Sequence, residues 1–552
     1  MMQKPTRLPA ALVAAAVALG PLVARAAAQD NTPEKTVAPS AGKATAKAPP
    51  QEVTTQGTVE AGGQHIAYNA VAGIITVGAT DAQDAQLGPD GKPLPDTDLA
   101  SAVEAAKSVA DAPPLARMFY VAYFKQDANA SQRPITFLYN GGPGSSTVWL
   151  HMGAFGPKRV ETDDKDTHLP AAPYKLEDNP DSLLDVSDLV FIDMPGTGFG
   201  RLTGKDADKA FWGVDEDGHA FARFIQRFLS KYNRWNSPKY LFGESYGTTR
   251  SAVLSKMLEN DYDIDPNGVI LLSQIFNFTT DIDGAHTNPG VDMTYELALP
   301  TYAATAWYHH KLPQQPADLQ AFLKEVEAFA MGPYSAALDQ GTDLSATEEQ
   351  SIAEKLHEYT GLPVDYLVKG DLRISGPQFE HTLLGDDATT GRLDTRFSGP
   401  SIDPLGEESE YDPQSSAISS AYVSLFNEYV RQTLKYGMGE TYLPEADFHG
   451  FDWDMKHDGN STNLNVAPDL ATAMKTNPKL KVLVNGGYFD LATPFYEAFY
   501  EEKHLPIPDR LASNIEYQWY ESGHMVYVRD SALKQLHDRV AAFIKSTEAG
   551  NE

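Results

Sequence analysis

A short apolar run, Lys239-Tyr240-Leu241-Phe242, ends at Gly243-Glu244-Ser245-Tyr246-Gly247, and a helical pattern follows over residues 248–257. This junction constrains the fold more than any other stretch of the chain. A Ser with Gly two residues away on either side, set between a strand and a helix, has the form of a nucleophile elbow. The turn is so sharp that only Gly fits beside the Ser, and the strain lifts the hydroxyl clear of the sheet. The helix behind it opens with unpaired backbone N–H groups, which favour a developing negative charge. Gly-x-Ser-x-Gly by itself occurs by chance in long chains and marks many simple turns. The flanking strand and helix make it a candidate site.

The surrounding pattern alternates in the same way. Residues 118–124 and 135–139 and Leu189-Val190-Phe191-Ile192 read as strands. Phe221, Phe224, Ile225, Phe228 and Leu229 recur at helical spacing, and Gly268-Val269-Ile270-Leu271-Leu272 is another buried strand. Strand–helix alternation of this kind predicts an α/β fold whose sheet is parallel at its centre. From 276 to 465 the alternation stops. Helical patterns occupy 317–329 and 419–435, and a third starts at the capping box Ser345-Ala346-Thr347-Glu348. The sheet pattern returns at Lys481-Val482-Leu483-Val484 and at 515–520, and a last helix is expected over 531–545. The expectation is a sheet domain in two parts, 56–275 and 466–552, around an inserted, mostly helical cap at 276–465. Structure should begin near Gly57, with 65–68 and 73–77 as an antiparallel pair and 81–97 as a loop.

The chain of 552 residues has 42% hydrophobic content, enough for a sizeable core, and a formal charge of −31 that argues against nucleic-acid binding. Residues 1–28 read as a secretory signal: Lys4 and Arg7, an Ala/Val/Leu stretch interrupted by Gly20-Pro21, then Ala26-Ala27-Ala28. An uncleaved membrane anchor is the alternative, but the apolar stretch is short and broken for a membrane span. Residues 29–55 read as a disordered linker. The chain has no Cys, which excludes disulfides, a Cys nucleophile and thiolate metal sites. An exported chain without disulfides points to a periplasmic or secreted bacterial protein, with no stable membrane insertion once the signal is cleaved.

A nucleophilic Ser needs a base, and the base needs an orienting acid. Two late strands end in suitable residues. Asp490 lies in the loop after 481–484, and His524 lies just beyond 515–520. Catalytic groups gather at the carboxyl ends of strands in open α/β sheets. An oxyanion hole is expected from the N–H of Tyr246 and from a Gly-rich turn, Asn140-Gly141-Gly142-Pro143-Gly144, that directly follows a strand. The turn lacks the Lys of a phosphate-binding loop.

Four motifs in order carry a resemblance: Asn140-Gly141-Gly142-Pro143-Gly144-Ser145-Ser146 with Gly156-Pro157; Asp193-Met194-Pro195-Gly196-Thr197-Gly198-Phe199; Gly243-Glu244-Ser245-Tyr246-Gly247; and Gly523-His524-Met525. Together they resemble the motif set of the serine carboxypeptidase family, peptidase family S10. The resemblance implies an α/β-hydrolase fold with an inserted cap and removal of C-terminal residues from peptides with a free C-terminus, without a cofactor. It implies Ser245, Asp490 and His524 as a triad, Gly142 and Tyr246 as oxyanion donors, and Asn140, Gly141 and Glu244 as the holders of the terminal carboxylate. Glu244 suits that task only when protonated, since an ionised Glu repels a carboxylate.

The chain departs from the family pattern at three places. The second Glu expected shortly before Gly156-Pro157 is Ala154, which should let Glu244 titrate lower and confine or weaken carboxylate recognition. A usual Cys is Ser145. The Gly-Asp-x-Asp around the acid is Gly487-Tyr488-Phe489-Asp490. Asp193 is a rival acid, but it precedes the Ser and suits a structural turn. His449, Asp452, Asp454 and His457 could hold a metal, though their spacing matches no ligand motif, so a cap loop is expected; His309-His310 is a weaker case. Tyr411-Asp412-Pro413 and Phe397-Ser398-Gly399-Pro400 are candidates for the cleft wall. Rival functions are an acyltransferase, an esterase or aminopeptidase-like hydrolase, and a catalytically silent binding protein on the same fold.

Overall fold

Where the sequence shows uninterrupted apolar runs, the chain forms parallel strands covered on both faces. The computed structural model describes residues 51–549 apart from 163, 386, 447–450 and 461–462. The expected signal at 1–28, most of the expected linker and His449 lie outside the described residues.

One ten-stranded sheet contains β1 (Glu52–Ala61), β2 (Gln64–Gly78), β3 (Leu115–Lys125), β4 (Ile135–Tyr139), β5 (Asp188–Ile192), β6 (Arg201–Thr203), β7 (Lys239–Glu244), β8 (Gly268–Leu272), β9 (Lys481–Gly487) and β10 (Ile515–Tyr520). The order is β1-β2-β3-β5-β4-β7-β8-β9-β10, with β6 beside β3. From β5 to β10 every pairing is parallel, while β1, β2, β3 and β5 pair antiparallel. All five residues of β4, of β5 and of β8 are buried, as strands covered on both faces must be.

The helices that matter are α1 (Val214–Lys231), α2 (Tyr246–Tyr262), α3 (Met293–Tyr308), α4 (Leu319–Phe329), α5 (Ala346–Thr360), α6 (Pro413–Gln432), α7 (Ala467–Thr476), α8 (Phe495–Lys503) and α9 (Asp530–Ala549). Alternation along the strands sends Phe137, Leu241, Val269 and Val482 into one core with α1, α2 and α7. Their neighbours Leu138, Phe242, Ile270 and Leu483 enter the opposite core with α6 and α9. A third cluster joins α3, α4 and α5 to Phe489 and Leu491.

Strands β8 and β9 are direct neighbours although the chain leaves the sheet between them. The departing and returning chains meet at a neck, where Val466 N–H donates to Phe276 O (3.0 Å) and Phe278 N–H to Leu464 O (3.0 Å). Among the described residues no helix is long and apolar enough to cross a membrane.

Several elements differ from the sequence expectation. β1 starts at Glu52, inside the expected linker, because Val53, Thr54 and Thr55 pair with Ala72, Val71 and Ala70, and Glu52 accepts hydrogen bonds from Tyr120 (2.9 Å) and Tyr232 (2.8 Å). Residues 65–68 and 73–77 are one continuous strand, not a pair. The hairpin turn falls at Gly62-Gly63, both at positive φ, while residues 69–72 pair with strands on both sides. The expected loop at 81–97 contains a helical turn, Asp81–Asp84, capped by Thr80. α3 has no counterpart in the expected pattern: it is buried all round, so it shows no apolar stripe, and it contains Pro300.

Candidate active site

β7 runs straight into Ser245, whose φ of 61° and ψ of −131° hold the strained turn that the elbow requires. A side chain at Gly243 would collide with the Gly247 carbonyl, so the turn closes only around Gly. The Ser245 N–H donates to Leu272 O at the end of β8 (3.0 Å), and Ser245 itself is half-buried while its neighbours are buried.

The loops after β9 and β10 bring Asp490 and His524 together. His524 Nδ1 is 2.8 Å from Asp490 Oδ2. Thr493 donates to the same carboxylate from its N–H (3.0 Å) and hydroxyl (2.7 Å), so Asp490, fully buried, is satisfied as an acceptor. Burial pulls the His524 imidazole down, but the Asp490 charge and hydrogen bond, with Glu244 nearby, outweigh it and hold the group above its ordinary value. Among the described residues no hydrogen bond joins the His524 ring to Ser245 Oγ.

The Gly-rich turn after β4 lies against the elbow. Gly141 approaches the N–H groups of Tyr246 and Gly247 so closely that a Cβ would strike them, and Gly142 has φ of 109°. Three bonds fix Asn140: its carbonyl accepts from Arg250 (2.7 Å), its Oδ1 accepts from Leu150 N–H (3.0 Å), and its N–H donates to Thr147 Oγ1 (3.3 Å). Arg250, buried on α2, is paired with Asp217 of α1 (2.5 Å).

Glu244 is buried beside Asn140 and accepts from the Tyr527 hydroxyl (3.1 and 2.9 Å). Burial pushes its carboxyl up to about 7, with His524, Tyr527 and Asn140 opposing. The expected fall in the absence of a second acid does not leave Glu244 in the ordinary carboxylate range, because burial, with a smaller push from the Asp490 charge, raises it. Ala154 is fully buried, and its carbonyl accepts from Asn179 Nδ2 (2.7 Å).

Asp193 takes the Thr147 N–H (2.7 Å) and the Tyr442 hydroxyl (3.0 Å), which ties its motif to the Gly-rich turn; burial lifts it to about 7. The ring of His524 is bonded to Asp490, not to Asp193. His457 is flanked by Asp215 (2.6 Å) and Asp469 (2.8 Å) rather than by Asp452 or Asp454. Asp215, His457 and Asp458 have ligand atoms close together, but both ring nitrogens are engaged with carboxylates, an ion-pair arrangement. Asp412 caps α6 through Gln414 N–H (3.0 Å), and Ser398–Pro400 pairs with Ala388–Thr390.

One supporting segment has no signal in the motifs. Residues 392–396 brace both loops: Leu491 N–H donates to Arg392 O (3.1 Å), His524 N–H to Leu393 O (2.6 Å) and Thr395 N–H to Phe489 O (2.9 Å). Arg396, buried, pairs with Asp394 (2.6 Å) and reaches Ser522 Oγ (3.2 Å). His309 Nε2 meets Thr395 O (2.6 Å). The alternating charges of Arg392, Asp394 and Arg396 are the one sequence feature that could have drawn attention to it. Tyr527, three residues after His524, was likewise within reach of the last motif.

A mainly parallel sheet with helices on both faces, an elbow Ser after β7 and an Asp–His pair after β9 and β10 define an α/β-hydrolase. The serine carboxypeptidase family matches residues 110–526, most of the chain, and the chain belongs to that family. Serine carboxypeptidase-like 36 of Arabidopsis thaliana is 30% identical over 139 residues, 24% of this chain and 26% of the relative. The pheromone-processing carboxypeptidase KEX1 of Saccharomyces cerevisiae is 33% identical over 117 residues, 21% of this chain and 15% of the relative. The alignments thus span about a quarter or less of these relatives' length. Among solved structures, proline iminopeptidase of Mycobacterium smegmatis aligns with a TM-score of 0.34 and 11% identity, over 79% of this chain and 97% of that one. A monoglyceride lipase of Saccharomyces cerevisiae aligns with 0.31 and 10%, over 83% and 99%. The fold assignment rests on the strand order and on the family.

Proposed function

We propose that the protein is an exported serine-type carboxypeptidase that hydrolyses the last peptide bond of peptides with a free C-terminus. The observation that carries this is the Asp490–His524 bond of 2.8 Å at the carboxyl ends of the adjacent parallel strands β9 and β10, in the same sheet as β7, which leads into Ser245 and is separated from β9 by β8 alone. With Nδ1–H held by Asp490, His524 presents Nε2 as the base. Ser245 Oγ attacks the scissile carbonyl as its proton passes to Nε2, the Ser–His contact closing when substrate binds. The N–H groups of Gly142 and Tyr246 hold the oxyanion. His524 then gives its proton to the leaving amine, which departs as the free terminal residue. Water, deprotonated by the same nitrogen, attacks the acyl-enzyme, and collapse of the second tetrahedral intermediate frees Ser245 and the shortened peptide.

Asn140, Gly141 and Glu244 would receive the terminal carboxylate. A buried acid at about 7 is protonated on the acidic side and can donate there, so terminal recognition weakens as pH rises through that value. Within residues 276–465, the helices of the third cluster act as the cap that bounds the cleft, while α6 joins 56–275 and 466–552 in the hydrolase domain beneath. The test is mass spectrometry of a free-acid peptide and its C-terminal amide after incubation with wild type and Ser245→Ala. Stepwise loss from the free-acid end, absent in the variant, is expected; intact free-acid peptide with wild type overturns the proposal.

A further inference from the structure

Glu244 stands at the end of β7 with no second carboxylate at Ala154, and a buried acid must find hydrogen bonds in whichever state it holds. Tyr527 provides one in either state. Its hydroxyl lies 3.1 Å from Oε1 and 2.9 Å from Oε2 and donates between them. Tyr527 sits in the short turn Val526–Val528, so one stretch of chain carries both His524 and the partner of Glu244. The ring is fixed in place. Gly153 packs closely against it, so that a Cβ there would come within 2.6 Å of the Tyr527 ring and 2.7 Å of the Tyr422 hydroxyl. Tyr422, from α6, is fully buried, and its hydroxyl has no hydrogen-bond partner among the described residues, so it does not compete for the Tyr527 hydroxyl, whose partners are Glu244 and the Asn140 side chain. The groups facing Glu244 are then Tyr527 and His524 from the chain after β10, Asn140 from the turn after β4, Asp490 from the loop after β9, and Tyr422.

We propose that Tyr527 is the positioning residue of the carboxylate pocket: its hydroxyl turns the Glu244 carboxyl so that the acid proton faces the terminal carboxylate of the substrate, and it sets the pH range over which that terminus is recognised. The inference rests on the carboxypeptidase reading above. In the neutral acid, the carbonyl oxygen accepts from Tyr527 and the remaining O–H points away from it, toward the incoming carboxylate. In the ionised acid, the same hydroxyl bridges both oxygens and favours the charge. Removing it leaves burial less opposed, so Glu244 keeps its proton to higher pH but is no longer held in one orientation.

The experiment measures KM and kcat against pH for a blocked dipeptide and its C-terminal amide, with wild type, Tyr527→Phe, Glu244→Gln and the double variant, after thermal melting has shown each to be folded. For the free acid, Tyr527→Phe should raise KM on the acidic side roughly fivefold and move the midpoint of the 1/KM profile upward by about one pH unit, as expected for one hydrogen bond to a charged group. KM should change more than kcat, and the amide should show no shift of midpoint. On the Glu244→Gln background, Tyr527→Phe should shift nothing. Wild type that treats acid and amide alike removes the carboxypeptidase reading itself. Wild type that prefers the acid, with an unmoved midpoint in Tyr527→Phe, overturns the inference alone, as does a shift that survives in the double variant. Should Tyr527→Phe fail to fold, coincident free-acid profiles for wild type and Glu244→Gln overturn it as well.

Discussion

Replacing Asp490 by Asn keeps the shape of the acid and reverses the sense of both hydrogen bonds made at Oδ2, one of which the Thr493 hydroxyl can meet by rotating to accept. Asp490 accepts the Thr493 N–H at Oδ1 (3.0 Å) and, at Oδ2, both the Thr493 hydroxyl (2.7 Å) and the His524 ring (2.8 Å). In Asp490→Asn the backbone donor of Thr493 keeps the carbonyl oxygen on its own side. The amide NH2 therefore takes the place of Oδ2 and points a donor at His524 Nδ1. The imidazole must then carry its proton on Nε2, where it cannot accept the proton of Ser245. A wrong tautomer of this kind costs about four powers of ten in kcat, or about 5 kcal/mol. The variant also loses the main influence holding His524 above its ordinary value, so the acid limb of its residual kcat/KM should move to lower pH. The assay is release of the terminal amino acid under saturating and limiting peptide, alongside Asp193→Asn. Asp193 serves Thr147 and Tyr442 instead of the base, so its variant should lose less than about tenfold in kcat while costing roughly 1–2 kcal/mol of stability. A loss under about tenfold in Asp490→Asn, or an equal loss in the two variants, refutes the assignment of the acid.

Gly141→Ala should reduce kcat by about 10²–10³, because its Cβ strikes the Tyr246 N–H that would bind the oxyanion; activity against several peptides checks this. Arg396→Met, which leaves Asp394 buried and unpaired beneath the His524 loop, should cost about 3–5 kcal/mol by denaturant unfolding and lower kcat with it. Thermal stability should be greatest on the acidic side. Burial lifts Glu501 above its unfolded value, so its contribution is full below the unfolded value and is lost as pH rises through the raised one. His457, which Asp215 and Asp469 hold at about 10 against the pull of burial, contributes fully below its unfolded value and loses that contribution as pH rises through about 10. Melting temperature should therefore fall in two stages with rising pH, the first reduced in Glu501→Gln and the second in His457→Gln.

The parts of the site that were legible in the sequence share one property: each is announced by a strand. β4, β7 and β9 carry short apolar runs, β10 at the sheet edge alternates aromatic and apolar with polar residues, and Asn140, Ser245, Asp490 and His524 follow them within a few residues. A parallel strand buried on both faces cannot hide among polar residues, and its carboxyl end is where an open sheet places chemistry. What escaped was fixed by contacts between distant parts of the chain. α3 carries apolar residues on every side, so it lacks the stripe that marks a helix at a surface. Tyr527 acquires its role only when Glu244, far earlier in sequence, lies under it. Residues 392–396 look like loop until the Asp490 and His524 loops are seen hanging from their carbonyl and N–H groups. The last case changes what the segment between β8 and β9 must be. Part of it, α6, is built into the core beneath the sheet, and part of it holds the acid and the base in register. A segment that only bounded the cleft could be exchanged to alter which peptides enter. This one cannot be exchanged whole without loosening the Asp490–His524 pair, so changes of specificity should be tolerated in α4 and α5, which pack in the third cluster, and not at residues 392–396.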